Sequence, residues 1–318
     1  MKNKIRVSAF LVAVLAAACA PASPAPGKWP GEYRWGIYAM DLDGREATLL
    51  YGAETTISNI RLNHAGDALA FSMNIGEESL NGGEIFTLDL RSRRLERLTD
   101  NGFLDAYPVW SPDDGRIAYL SWPDATLDIY VMEKTGGGHR LLYDSGFHDG
   151  DIDWAGDTIA FTRNSRIWIM DSDGTNARAV TDPPRAGETG KANLPFGDYD
   201  PRISPDGKTV LFERMERDDS PHGNYDFYIA NLDGSGIARI TQTGYTQGLA
   251  NWSPSGAEFL FIVTAINGEG KYDLHVRNRD GSGDRNLTPD YFPDDVLIHE
   301  AVFSRGATAV YFIAERWE

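Results

Sequence analysis

Trp110-Ser111-Pro112-Asp113-Asp114-Gly115 leads straight into Ile117-Ala118-Tyr119. Proline presets φ, glycine accepts positive φ, and a short acid bonds its own backbone, so the polar stretch is a tight turn. Aromatic and β-branched residues on either side favour strands. The stretch therefore reads as one hairpin. It recurs as Trp154-Ala155-Gly156-Asp157 into Ile159, Ile203-Ser204-Pro205-Asp206-Gly207 into Val210, and Trp252-Ser253-Pro254-Ser255-Gly256 into Phe259. Weaker copies begin at Leu62 and Phe303.

A second hairpin alternates with the first. It is clear at Ile37-Tyr38-Ala39-Met40-Asp41-Leu42-Asp43-Gly44 and Ile167-Trp168-Ile169-Met170-Asp171-Ser172-Asp173-Gly174, with relatives from Ile85, Ile129, Phe227 and Leu274. Several copies close on Leu98-Thr99, Val180-Thr181, Ile240-Thr241 or Leu287-Thr288. The first hairpin returns every 44 to 51 residues, roughly the period of a four-stranded propeller blade. The repeat opens with a second hairpin, Trp35 to Leu50, and closes with a first hairpin, Val302 to Ala314. Together these complete one blade, and five lie between. The expectation is an all-β, six-bladed β-propeller over residues 33–318, its last blade closed by the N- and C-terminal hairpins so that no sheet edge stays open.

These motifs resemble the repeat of the TolB propeller family, and similar repeats occur in oligogalacturonate lyases and in propeller domains of some peptidases. The resemblance speaks to fold far more than to function. TolB proteins carry an α/β domain before the propeller, where this sequence has a short tether. In TolB the propeller binds partner peptides at its channel mouth, so the resemblance implies a location for binding.

Upstream of the repeats, Lys2, Lys4 and Arg6 precede an apolar run from Val7 to Ala18. Basic residues, a short apolar core and small residues make a signal peptide, residues 1–18. Leu15-Ala16-Ala17-Ala18-Cys19 resembles a lipobox, with the leucine one place further from the cysteine than usual, which implies lipidation of Cys19. Cys19 is the only cysteine, so no internal disulfide forms. Residues 19–32, rich in Pro and Ala, read as a tether. Ala20 lacks the inner-membrane retention signal of such lipoproteins. The expected location is thus exported, periplasmic, lipid-anchored, and the outer membrane by preference.

Net charge is −17, and about −20 once the basic leader is removed. So acidic a body repels phosphate backbones and anionic headgroups. Nucleic acid is excluded as a partner, and the membrane is reached through the lipid anchor only. Both tight turns of each blade fall on one face. The connections between hairpins and blades fall on the other, and these are long and acidic. Recognition concentrates on such loops.

Residues just before each innermost strand should ring the channel mouth. They include Asn59, Arg61, Tyr107, His148, Asp149, Asp151, Asp153, Asp198, Asp200, Arg202, Gln247, Asn251, His299 and Glu300. Trp122, in a loop on the long-loop face, is a candidate anchor, whereas Trp110, Trp154 and Trp252 share a repeat position and read as core. No Gly-x-Ser-x-Gly elbow, His-Glu-x-x-His helix or phosphate loop is present. The reading is a non-enzymatic module that binds an envelope protein or peptide and needs no cofactor. The alternative, implied by the resemblance to oligogalacturonate lyases, is a glycan lyase or hydrolase with a divalent metal held by His148, His299 and Gln247.

Overall fold

The computed structural model describes residues 32–42, 46–76, 82–190, 195–217, 224–244, 246–265, 272–289 and 291–317. The signal peptide, Cys19 and nearly all of the tether lie outside them. The described residues form six antiparallel four-stranded sheets arranged as a six-bladed propeller. The innermost strands, in chain order, are Ile57–Leu62, Asp105–Trp110, Asp149–Ala155, Gly197–Ile203, Thr246–Trp252 and Val296–Phe303, and the blades are numbered 1 to 6 on them. In blade 6 the C-terminal hairpin (Val296–Phe303 and Ala309–Arg316) pairs with the N-terminal one (Trp35–Asp41 and Ala47–Ala53). The ring closes as expected, through the register Trp35↔Glu315 to Asp41↔Ala309.

Among the described residues seven hydrophobic clusters form the core. Six of them join two neighbouring blades, and the seventh, Phe196 with Met215, lies within blade 4. Phe71, Phe86 and Ile57 of blade 1, for example, pack on Trp35, Ile37 and Ile313 of blade 6. Both faces of a blade are therefore covered. That is why the second strands read as unbroken apolar runs such as Ile117-Ala118-Tyr119-Leu120 rather than alternating. The indole Nε1 of Trp110 donates to Arg61 O, and that of Trp252 to Arg202 O, each on the preceding blade.

The repeated polar residues serve the backbone. Ser111, Ser204, Ser253 and Ser304 accept from the N–H of Arg116, Thr209, Glu258 and Ala309 at 2.9–3.2 Å, closing each first turn. Asn63 does the same in blade 1. Thr99, Thr181, Thr241 and Thr288 accept from Ile85, Ile167, Phe227 and Leu274 at 2.8–3.0 Å. Such bonds satisfy the end of the third strand where the ladder stops. At Gly281 both φ (+82°) and space demand glycine, since an added Cβ would stand 1.9 Å from Ile240 O of the neighbouring blade.

Two expectations need adjusting. The ring residues at 59–61, 107, 149–153, 198–202, 247–251 and 299–300 lie within the innermost strands, not before them. In blade 3 the loop-face connection is not long: Asn164 and Ser165 alone join Arg163 to Arg166, both with φ near +50° to +60°, the conformation of a two-residue hairpin turn.

Candidate functional site: the channel mouth and the loop face

Every innermost strand carries a register break at the same place, between Ser58/Arg61, Ala106/Val109, Gly150/Asp153, Tyr199/Arg202, Gly248/Asn251 and Ile298/Glu300. In five of them a non-glycine residue there is left-handed: Asn59, Tyr107, Asp151, Asp200 and Leu249, with φ from 49° to 58°. Bulges of this kind re-aim a side chain and recur beside functional sites. Here they change which strand residues face the axis.

The result is a charged plug. An Arg61 guanidinium N–H donates to Glu300. Arg202 Nη2 lies 3.1 Å from Asp200 and 3.4 Å from the same Glu300 oxygen. Arg202 Nε donates to Asn251 Oδ1 at 3.1 Å, and Asn251 Nδ2 to Ala301 O at 2.9 Å. Glu213 accepts from Leu249 N–H, and Asp153 from Ile203 N–H. Among the described residues, the cations paired with the group Asp151, Asp153, Asp200, Glu213 and Glu300 are Arg61 and Arg202. Burial, reinforced by the Asp200 charge, pushes the Asp151 carboxyl up to about 7. Burial also raises Asp200, against the pull of Arg202, and lifts Glu213 well above the usual carboxylate range. Tyr107 is raised by burial and by Asp151, Asp200 and Glu300, so side chains from blades 2, 3, 4 and 6 meet at the axis. Asp151, Asp200 and Glu213 are thus pushed toward the protonated form, because neighbouring buried carboxylates resist ionising together.

Other candidates sit elsewhere. Asp149 bonds Arg163 Nε at 2.7 Å, and Asp198 takes Arg214 at 2.5 and 2.8 Å. Burial pushes Asp149 up to about 6. Gln247 donates to Thr241 Oγ1 at 2.7 Å and to Tyr225 O at 3.2 Å. These three occupy equivalent positions and clamp strand ends. His148 Nδ1 accepts from Leu127 N–H at 3.0 Å, and its ring stands edge-on to Trp122 at 5.2 Å. Burial lowers its pKa. His299 Nε2 lies 2.9 Å from Glu315, with Trp35 against its ring at 4.6 Å. His148, His299 and Gln247 thus engage three different sets of neighbours. Among the described residues no three His, Cys, Asp or Glu side chains group as a metal site.

The sequence reading passed over the exposed apolar side chains. Seven large ones are exposed among the described residues, and five are on the loop face: Tyr33, Ile75, Phe103, Phe147 and Trp317. Ile237 is on the turn face and Leu141 on an outer strand. A signal was available for two of them, because Gly102-Phe103-Leu104-Asp105 and Gly146-Phe147-His148-Asp149 repeat in adjacent blade connections. A hollow of about 570 Å³ between blades 4 and 5 opens on the turn face, but its Arg279 is tied to Asp206 and Thr209.

No family profile matches the chain. It is 28% identical over 165 residues to an uncharacterized protein of Agrobacterium fabrum, covering 48% of this chain and 53% of that one. The chain thus spans about half the length of the curated relative it matches. Among solved structures, a protein assigned as TolB in Agrobacterium tumefaciens superposes with a TM-score of 0.71 at 18% identity, over 91% of this chain and all of that one. TolB from Acinetobacter baumannii gives 0.60 at 15%, over 91% and 66%. An oligogalacturonate lyase in complex with manganese gives 0.53 at 12%, over 89% and 96%. In fold the chain is a TolB-like propeller. No helix of the described residues is long and apolar enough to cross a membrane.

Proposed function

We propose that this protein is a non-enzymatic binding module of the bacterial envelope. It is exported, held by a lipid on Cys19, preferably at the outer membrane, and engages a protein or peptide at its loop face and channel mouth. The observation that carries this reading is the unequal distribution of exposed apolar side chains, five on the loop face against Ile237 on the turn face. Exposed apolar side chains gathered on one face mark interaction sites. Charge agrees, because exposed acids such as Asp124 and Asp144 stand in the loop-face connections.

The test is crosslinking in living cells. A photoreactive residue at Ile75 or Trp317 should give discrete protein adducts, and one at Ile237 should not. Adducts from Ile237 alone, or none from any position, would end the reading. We keep the module free of a metal because His148, His299 and Gln247 engage three different sets of neighbours. Metal analysis of the purified chain checks this, and stoichiometric metal lost on His148→Ala would favour the lyase-type alternative.

A further inference from the structure

We propose that the loop-face end of blade 2 is a docking surface for a cationic segment of a partner protein. This rests on the binding-module reading and assigns it a place and a partner chemistry.

Three aromatic side chains belong to the segments at that end. Phe103 precedes blade 2 and is 41% exposed, and Phe147 follows it and is 55% exposed. Trp122 lies between them on the blade's own loop, half-buried. Main-chain and ring contacts draw the three segments together. Trp122 N–H donates to Leu104 O at 2.9 Å, its ring meets His148, and Asp149 N–H reaches back to Leu127 O at 2.9 Å.

The backbone that carries the exposed rings is held in position. Phe103 N–H donates to Asn101 Oδ1 at 2.7 Å, and Asn101 Nδ2 donates to Asp105 at 2.7 Å. Phe147 N–H donates to Ser145 Oγ at 3.1 Å, and Gly146 N–H to Asp144 Oδ1 at 2.7 Å. Two phenyl rings are thus presented to water by short bonded turns. Binding there requires little ordering of the surface, which is what favours an anchor site.

Charge selects the occupant. Segments 98–108, 121–128 and 144–151 contain no Lys or Arg. Asp124 and Asp144 stand at the surface there, while Asp100 is paired with Arg97 at 2.7 Å. Lys and Arg side chains lay their apolar stems on such rings and their charged ends on ring faces and carboxylates. An anionic lipid surface or a nucleic acid would be repelled by the same groups.

The experiment uses the mature chain and a synthetic probe, an eight-residue peptide alternating Arg and Leu, with its Glu-Leu counterpart as reference. Calorimetric titration should show binding of the Arg-Leu peptide only. The double variant Phe103→Ser, Phe147→Ser should weaken it at least tenfold, while Ile237→Ser on the turn face leaves it unchanged. Equal affinity of all three chains would reduce the interaction to diffuse charge and overturn the proposal. So would flotation of the Cys19→Ser chain with phosphatidylcholine vesicles that is lost in the double variant, since lipid would then be the occupant. The wider reading is judged separately. Loop-face crosslinks that persist in the double variant would sink this assignment alone, whereas none in the unaltered chain would remove its premise.

Discussion

The turn face and the loop face are made from the same kind of residue and use it in opposite ways. On the turn face, acids end the turns. Asp89 is held below the usual carboxylate range by Ser92 N–H and hydroxyl, and Asp173, Asp233 and Asp280 by the hydroxyl and N–H of Thr175, Ser235 and Ser282. Turns of neighbouring blades also bond one another. Asp114 of blade 2 accepts from His64 and Ala65 of blade 1 at 2.8 Å, and Arg305 of blade 6 donates to Ala65 O at 3.2 Å. Toward the loop face, acids are buried in the channel and raised by burial, and aromatic side chains are left in water. One end satisfies its polar groups internally, and the other leaves groups over for something else.

The largest expected difference between the two ends is steric. Gly281→Ala on the turn face places a Cβ against the Ile240 carbonyl at a left-handed φ. We expect a loss of about 3 kcal/mol or more in denaturant unfolding. Gly146, on the loop face, has φ +73° and open space around its Cβ position, so Gly146→Ala should cost only the left-handed term, about 1 kcal/mol. Equal losses would show that the turn face is not the tightly fitted end.

Titration separates the ends next. Asp151 and Asp149 have folded values of about 7 and about 6, against 3.8 when unfolded. A raised acid contributes stability that is complete below its unfolded value and lost as pH rises through its folded one. The turn-face acids have the opposite sign and matter only below about pH 4. The denaturant midpoint should therefore decline from pH 5 to pH 8. Asp151→Asn should flatten that decline and stabilise the chain at pH 8, while Asp173→Asn leaves it as it was. A midpoint that rises over this range would mean that the channel acids are ionised and paired.

How much of this could be read beforehand divides along the same line. Trp-Ser-Pro-Asp-Gly and Asp-x-Asp-Gly are local chemistry, so the turn face, the blade count and the closure of blade 6 followed from spacing and from the order of the end hairpins. The channel did not. An alternating strand puts Asp149, Asp151 and Asp153 on one face, and Asp198, Asp200 and Arg202 likewise. The bulges at Asp151 and Asp200 break that alternation, sending Asp149 and Asp198 to Arg163 and Arg214 and the others to the axis. Left-handed Asp, Tyr and Leu residues carry no sequence mark comparable to a turn glycine. Glu213 joined the cluster from a second strand, which no count of strand starts would select.

The smallest expected effect is also the most informative about the loop face. Phe103 and Phe147 are exposed, and their turns are held by backbone N–H groups and by the Asn101 and Ser145 side chains, with no bond from the rings. Replacing both by Ser should move the unfolding free energy by no more than about 0.5 kcal/mol, the usual range for surface positions. A loss of about 2 kcal/mol would mean that the rings pack into the blade and belong to the fold. An unchanged or slightly higher midpoint would mean that the fold makes no use of them. Exposed phenyl rings also lower solubility, so side chains with no part in folding that are nonetheless pinned outward by hydrogen-bonded turns point to selection for contact with another molecule. The unfolding curve of this variant therefore decides whether its binding data report on recognition or on a damaged scaffold.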